Sequence, residues 1–130
     1  MERNRQPIGI FDSGLGGISV LAEALKVLPA ENYLYYGDNL HIPYGDKSPE
    51  EVLALTHQAM DKLTQLRCKA IVLACNTATS AAAGAMRQEL DLPIIGMEPA
   101  LKPASQLSGE GDVLVMATQM TLSQTFRQLL

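Results

Sequence analysis

The 130-residue sequence carries ten Lys and Arg against fourteen Asp and Glu, a net charge of −4, and is 47% hydrophobic. That length suits one compact domain of ordinary size, and the apolar content builds a core that a disordered chain lacks. The basic residues are scattered, which argues against a nucleic-acid surface, and no apolar run is long enough to span a bilayer.

The N-terminus, MERNRQPIGIFDSG, moves straight into a short apolar run. It lacks the long apolar stretch and small-residue cleavage site of a signal peptide, so a cytoplasmic location is the default expectation. Ile8 to Phe11 reads as a strand ending in the glycine-rich turn Asp12-Ser13-Gly14-Leu15-Gly16-Gly17. Ile18 to Leu28 then has apolar residues at helical spacing, with Pro29 just beyond. Tyr33 to Tyr36 is a second strand, followed by the loop from Gly37 to Lys47. Ser48-Pro49-Glu50-Glu51 is a helix start, with Ser as N-cap, Pro at the first position and acids in the first turn. That helix is expected to run to about Leu66. Ala70 to Ala74 is a third strand, with Cys75-Asn76-Thr77 at its end, and the alanine-rich Ala78 to Leu90 is a helix. Leu92 to Ile95 is expected as a fourth strand and Val113 to Ala117 as a fifth. Between them Pro99 and Pro103 punctuate a stretch that either crosses between domains or opens a helix. Thr121 to Leu130 begins a last helix, and FRQLL has neither glycine nor polar cap, as if cut in mid-helix. Strands alternating with helices predict an α/β fold, a parallel sheet flanked by helices on both faces.

In open α/β sheets, ligands gather beyond the carboxyl ends of the strands. Asp12-Ser13, Cys75-Asn76-Thr77, and Thr118 with Thr121 all fall there, and the loop Pro43-Tyr44-Gly45 can reach the same edge. Each has a structural alternative. Asp12 and Ser13 can cap the following helix, Asn76-Thr77 can cap another, and GLGG can serve backbone freedom alone. No Lys-Ser or Lys-Thr follows the glycines, so they do not form a Walker A loop. They also miss the full GxGxxG pattern, and no acidic residue closes the second strand at the expected place.

The two cysteines, Cys68 and Cys75, lack metal-site spacing and are too few for a disulfide framework. Both are expected as free thiols. Cys68, in LRCKAIV, fits burial as a small apolar side chain. Cys75 ends a strand and precedes a helix, so its sulfur lies near a helix N-terminus, where the macrodipole and free amides favour thiolate over thiol. A nucleophilic role calls for a histidine partner. His57 lies inside a helix and His41 in a loop without a flanking motif, so neither is convincing. Asp12 is the better neighbour, because the first and third strands of such a sheet can be adjacent.

IGIFDSGLGG, DNLHIPYGDKS and LACNTATSAA, in that order and spacing, resemble glutamate racemase within the aspartate/glutamate racemase superfamily. The resemblance continues through LPIIGMEPALKPA and VLVMATQMT, nearly the whole chain. It implies an isomerase that interconverts L- and D-glutamate with no cofactor and no metal, supplying D-glutamate for peptidoglycan. It further implies two thiols, one removing the α-proton and the other returning one on the opposite face. Matched to the family's pattern, Cys75 and Asp12 are catalytic. Asp12, Ser13, Pro43, Tyr44, Gly45, Asn76, Thr77, Thr118 and Thr121 contact the substrate, although ATQMT departs from the small-residue version expected around Thr118 and Thr121.

Family members run to roughly twice this length, with two similar α/β domains and the active site between them. By that resemblance residues 1–98 form the first domain, and residues 99–130 form the crossover and the start of the second. The partner cysteine lies in a Cys-Thr-His segment that this sequence lacks. Cys68 precedes its strand and points to the opposite edge, so it cannot substitute. The chain is therefore expected to be inactive alone, with glutamate as the small-molecule partner. Two alternatives stand beside this: a binding or dimerising half-module, hence a homo-oligomer, and a racemase of another acidic amino acid such as aspartate.

Overall fold

A computed structural model of the chain describes residues 5–129, with backbone alone for 125–129. Four strands, β1 (Ile8–Asp12), β2 (Tyr33–Gly37), β3 (Ala70–Leu73) and β4 (Ile94–Gly96), form one sheet in the order β2-β1-β3-β4. Every pairing is parallel. Parallel neighbours need crossovers, and helices supply them. They are α1 (Ile18–Val27), α2 (Pro49–Gln65) and α3 (Asn76–Glu89), followed after β4 by α4 (Leu101–Ser108) and α5 (Gln119–Leu129).

Alternation along the strands sorts their side chains to two faces. Phe11, Ile71, Leu73 and Ile94 enter the main core, into which α2 sends Val52, Ala59, Met60 and Leu63. From α3 come Ala78, Ala82, Ala83 and Met86, small enough on one side for α2 and α3 to pack closely over the sheet. Met120 of α5 completes this cluster against α3. The opposite face carries Ile10, Tyr33 and Tyr35, and α1 lies there: the Tyr33 hydroxyl donates to the carbonyls of Ala24 and Leu28 at 3.1 Å each. No residue of α1 is fully buried, and Val27 is 75% exposed. The helix nevertheless forms, because its apolar residues recur at helical spacing and meet the tyrosines on one side only.

The start of α2 is as the sequence predicts. Ser48 Oγ accepts from the Glu51 amide at 3.2 Å and Glu51 returns a carboxylate to the Ser48 amide at 2.9 Å, a reciprocal cap. Those bonds hold the Glu51 carboxyl below its ordinary value. The stretch after Pro99 resolves as a helix, α4, although none of its residues is buried.

Two expectations need correction. Strand β4 starts at Ile94 rather than Leu92, since Pro93 has no N–H to give a ladder and only its carbonyl is used, by Ile71 N at 2.9 Å. Val113 to Ala117 is not a strand. Leu114 and Met116 are each 87% exposed, and β3 is the only partner of β4 among the described residues, so the run has no neighbour to pair with. An apolar run becomes a parallel strand only where another strand takes its N–H and C=O groups. The last helix runs to Leu129, and its expected final residue, Leu130, lies outside the described residues.

Two glycines should respond oppositely to alanine. At Gly37 an added Cβ would meet the Gly14 carbonyl oxygen at 2.6 Å, whereas at Gly84, in α3, it would meet nothing within 4 Å. Gly37→Ala is expected to cost about 1–3 kcal/mol from overpacking against backbone. Gly84→Ala is expected to gain about 0.5–1 kcal/mol from lost unfolded-state freedom. Urea denaturation of both variants, followed by circular dichroism, checks the signs.

Candidate active site

Because β1 lies between β2 and β3, the chain leaves the sheet at three adjacent points on one edge. Asp12 ends β1, Asp38 follows β2, and Cys75 comes two residues after β3. Backbone bonds fix these exits relative to one another: Asp38 N donates to Asp12 O at 3.0 Å, and Ala74 N donates to Phe11 O at 2.8 Å.

Cys75 is itself the N-cap of α3, which therefore begins at Asn76 rather than Ala78. Its sulfur accepts from the Ala78 amide at 3.4 Å, and its thiol donates to Ser13 Oγ, also at 3.4 Å. Only 7% of the residue is exposed. A helix N-terminus presents unpaired amides, and here one of them is aimed at the sulfur. Cys68 is buried to the same degree, 6% exposed, but it sits at the far end of β3, against Gly9 and Leu63. Burial alone pushes the Cys68 thiol above its ordinary range. Equal burial thus comes with unequal surroundings.

Asp12 and Ser13 do not cap α1: its N-cap is Gly17, which has no side-chain cap bond. The buried Asp12 carboxylate instead accepts from the Gly14 amide at 3.0 Å and holds the turn after β1 closed. Ser13, rather than Asp12, is the side chain hydrogen-bonded to the sulfur. Asn76 and Thr77 do not cap either. Asn76 is exposed at the first turn of α3, and the buried Thr77 hydroxyl pairs with Thr118 Oγ1 at 2.9 Å. Thr118 pairs in turn with Thr121 at 3.1 Å, so three hydroxyls run from α3 to α5. Gly45 closes against Thr118, where a Cβ would come 2.7 Å from the methyl. Pro43 stands exposed at the rim, just before a 3-10 turn that spans Tyr44–Asp46.

Asp38 was not anticipated from the sequence. Strand β2 extends through Gly37, so an acid does close it. The buried Asp38 carboxylate accepts from Tyr44 Oη at 2.7 Å and from His41 Nδ1 at 2.8 Å. The signal was present: an acid directly after an aromatic strand, with His and Tyr three and six residues on. Tyr44 packs on Phe11 with ring centroids 6.3 Å apart and lies in the core cluster that contains Cys75. Asp38 therefore anchors the loop that forms one wall of the site. His41 serves this anchor and does not approach the thiol by hydrogen bond; His57 lies on α2 beside Glu89, 3.4 Å away. No group of three His, Cys, Asp or Glu among the described residues is placed to hold a metal ion.

Burial first, then the bond to Asp38 and its charge, push the Tyr44 phenol well above its ordinary value of 10.0. Tyr35 is raised more modestly, by burial and by the charge of Asp12. A folded-state pKa above the unfolded one means the native chain binds more protons at alkaline pH, so stability is full below about pH 10 and falls as pH rises beyond it. Phenolate absorbance during an alkaline titration should show Tyr44 ionising only as the chain unfolds. Tyr44→Phe should remove that late step; Tyr44 ionising near its ordinary value in the folded chain would contradict this.

The Asp/Glu/Hydantoin racemase family profile matches residues 13–130. Glutamate racemase of Clostridium perfringens is 59% identical over 119 residues, 91% of this chain and 46% of that protein. The Clostridium botulinum glutamate racemase is 56% identical over 124 residues, 95% of this chain and 48% of the relative. Among solved structures, a glutamate racemase isoform from Bacillus anthracis superposes with a TM-score of 0.86 at 35% identity, covering 97% of this chain and 48% of that one. Escherichia coli glutamate racemase, solved with L-glutamate and the activator UDP-MurNAc-Ala, gives 0.82 at 36% identity, covering 95% and 47%. The chain spans about half the length of the curated relatives it matches.

Proposed function

This chain belongs to the Asp/Glu/hydantoin racemase family, and from that premise we propose that it carries one of the two proton-transfer thiols of a glutamate racemase. The observation that carries this reading is the setting of Cys75, a buried N-cap cysteine with an amide and a serine hydroxyl on its sulfur. Glutamate rather than aspartate is favoured because the curated relatives at 56–59% identity are glutamate racemases. Residues 1–98 then form the first α/β unit, and residues 99–130 the crossover and the beginning of a second.

The chemical difficulty is the weak acidity of an amino-acid α-carbon. In the proposed step the Cys75 thiolate takes the α-proton, becoming a thiol, and the C–H electron pair stays on carbon. A thiol on the opposite face, supplied from outside this chain, gives that carbon a proton and completes the inversion. The carbanion-like transition state needs preorganised donors and an excluded-water site. The amides at the start of α3 and the Thr77, Thr118 and Ser13 hydroxyls suit the substrate carboxylates. Asp12, a carboxylate at the same edge, suits the ammonium group. Tyr44 and Gly45 wall the site, and Pro43 and Asn76 lie at its rim. No cofactor enters this scheme, because thiols serve as both proton acceptor and proton donor.

With Cys75 as the one thiol at the site, the 130 residues alone should not racemise L-glutamate. A chimera in which they replace the first half of the C. perfringens relative supplies the rest, and circular dichroism of glutamate follows its turnover. Cys75→Ala in that chimera is expected to lower kcat by about 10³-fold, within the range for a positioned general base. Cys68→Ala should stay within a few-fold of the parent. A Cys75→Ala chimera as active as its parent would sink the proposal.

A further inference from the structure

We infer that Tyr35, which does not touch the thiol, is a positioning residue that sets Ser13 against Cys75 by fixing the turn after β1. The inference rests on Cys75 being the reactive thiol, as proposed above.

Tyr35 is on β2, one strand beyond β1 from Cys75. Its neighbours Leu34 and Tyr36 pack against the main core, so alternation sends Tyr35 to the other face, beneath the turn 13–17. There its hydroxyl donates to the Gly14 carbonyl at 2.8 Å, and its ring edge lies against Gly17, where a Cβ would stand 3.2 Å from Cε2. The Gly14 amide is already committed to Asp12 Oδ2 at 3.0 Å. Both polar groups of Gly14 are therefore held by side chains from two different strands.

Ser13 lies between Asp12 and this doubly held glycine, and has little freedom to carry its hydroxyl elsewhere. Gly37, opposite Asp12 in the β1–β2 register, lets β2 approach the same Gly14 carbonyl. Burial and the Asp12 charge keep the Tyr35 phenol protonated and so able to donate. With the proton on sulfur, the thiol donates to Ser13; once it leaves, the same hydroxyl can turn and donate to the thiolate. Losing Tyr35's bond would free the Gly14–Leu15 peptide to rotate and leave the Asp12 bond alone to hold the turn that carries Ser13.

The test is the iodoacetamide reaction rate of Cys75 at neutral pH, measured by peptide mass spectrometry on the 130-residue chain. Tyr35→Phe, Ser13→Ala and the double variant are compared with the parent. Phe keeps the ring against Gly17, and the Cys68 rate in each variant reports whether the fold has loosened. Each single variant is expected to slow Cys75 by about fivefold, the scale of one hydrogen bond. The double variant should be no slower than Ser13→Ala, because Tyr35 acts through Ser13. A purely structural tyrosine would instead speed both cysteines. The inference is overturned if Tyr35→Phe leaves Cys75 at the parental rate while Ser13→Ala slows it, or if the two effects multiply. Neither result touches the racemase reading, which turnover of the chimera decides.

Discussion

Strand β1 is hydrogen-bonded along both edges, to β2 on one side and β3 on the other, and the site depends on that double pairing. Ile8 faces Tyr33 and Ala70, and Phe11 faces Tyr36 and Leu73. A slip of one residue in either register would turn Phe11 out of the core and carry Asp12 to the wrong face. With the register fixed, the exits of three strands come to one edge in a set order, and Asp38, Asp12 and Cys75 follow from it. Phe11 and Ile10, both fully buried, hold β1 from opposite faces.

On this frame the polar residues of the edge are mostly engaged with one another. Asp38 takes the hydroxyl of Tyr44, Asp12 takes the amide of Gly14, Ser13 takes the thiol of Cys75, and the threonines share hydroxyls from α3 to α5. Buried polar groups are costly unless paired. Among the described residues, no buried side-chain nitrogen or oxygen lacks a partner. The hydroxyl groups in this set both donate and accept, so a ligand carboxylate can replace a neighbour without stranding it.

Much of the fold was legible because the signals are local. Ser48-Pro49-Glu50-Glu51 contains its own cap, and Ile8 to Phe11 is short, apolar and closed by a glycine-rich turn. Asp12, Ser13, Cys75 and Thr77 were legible by position, since carboxyl ends of parallel strands collect polar side chains, whereas Thr118 and Thr121 come from the start of α5 and not from a strand end. What failed was non-local. Val113 to Ala117 has the composition of a strand, but composition does not reveal whether a neighbour is there to pair. The role of Asp38 was hidden because it depends on β2 reaching Gly37 and on a loop folding back six residues to Tyr44. The partner of the thiol was expected to be Asp12. Strand adjacency was right, yet the Asp12 carboxylate is committed to its own turn, leaving Ser13 to meet the sulfur.

In the proposed reading Cys75 is the residue around which the edge is arranged. Cys75 and Cys68 are buried alike, so their contrast isolates the effect of what surrounds the sulfur. The most direct measurement is the rate of iodoacetamide alkylation of the two cysteines, followed together from acid to alkaline pH in the intact chain. Cys75, with an amide and Ser13 on its sulfur, is expected to react at least about tenfold faster at neutral pH than Cys68, whose thiol is pushed up by burial and which catches up only at alkaline pH. Equal, slow alkylation of both cysteines at neutral pH would contradict it.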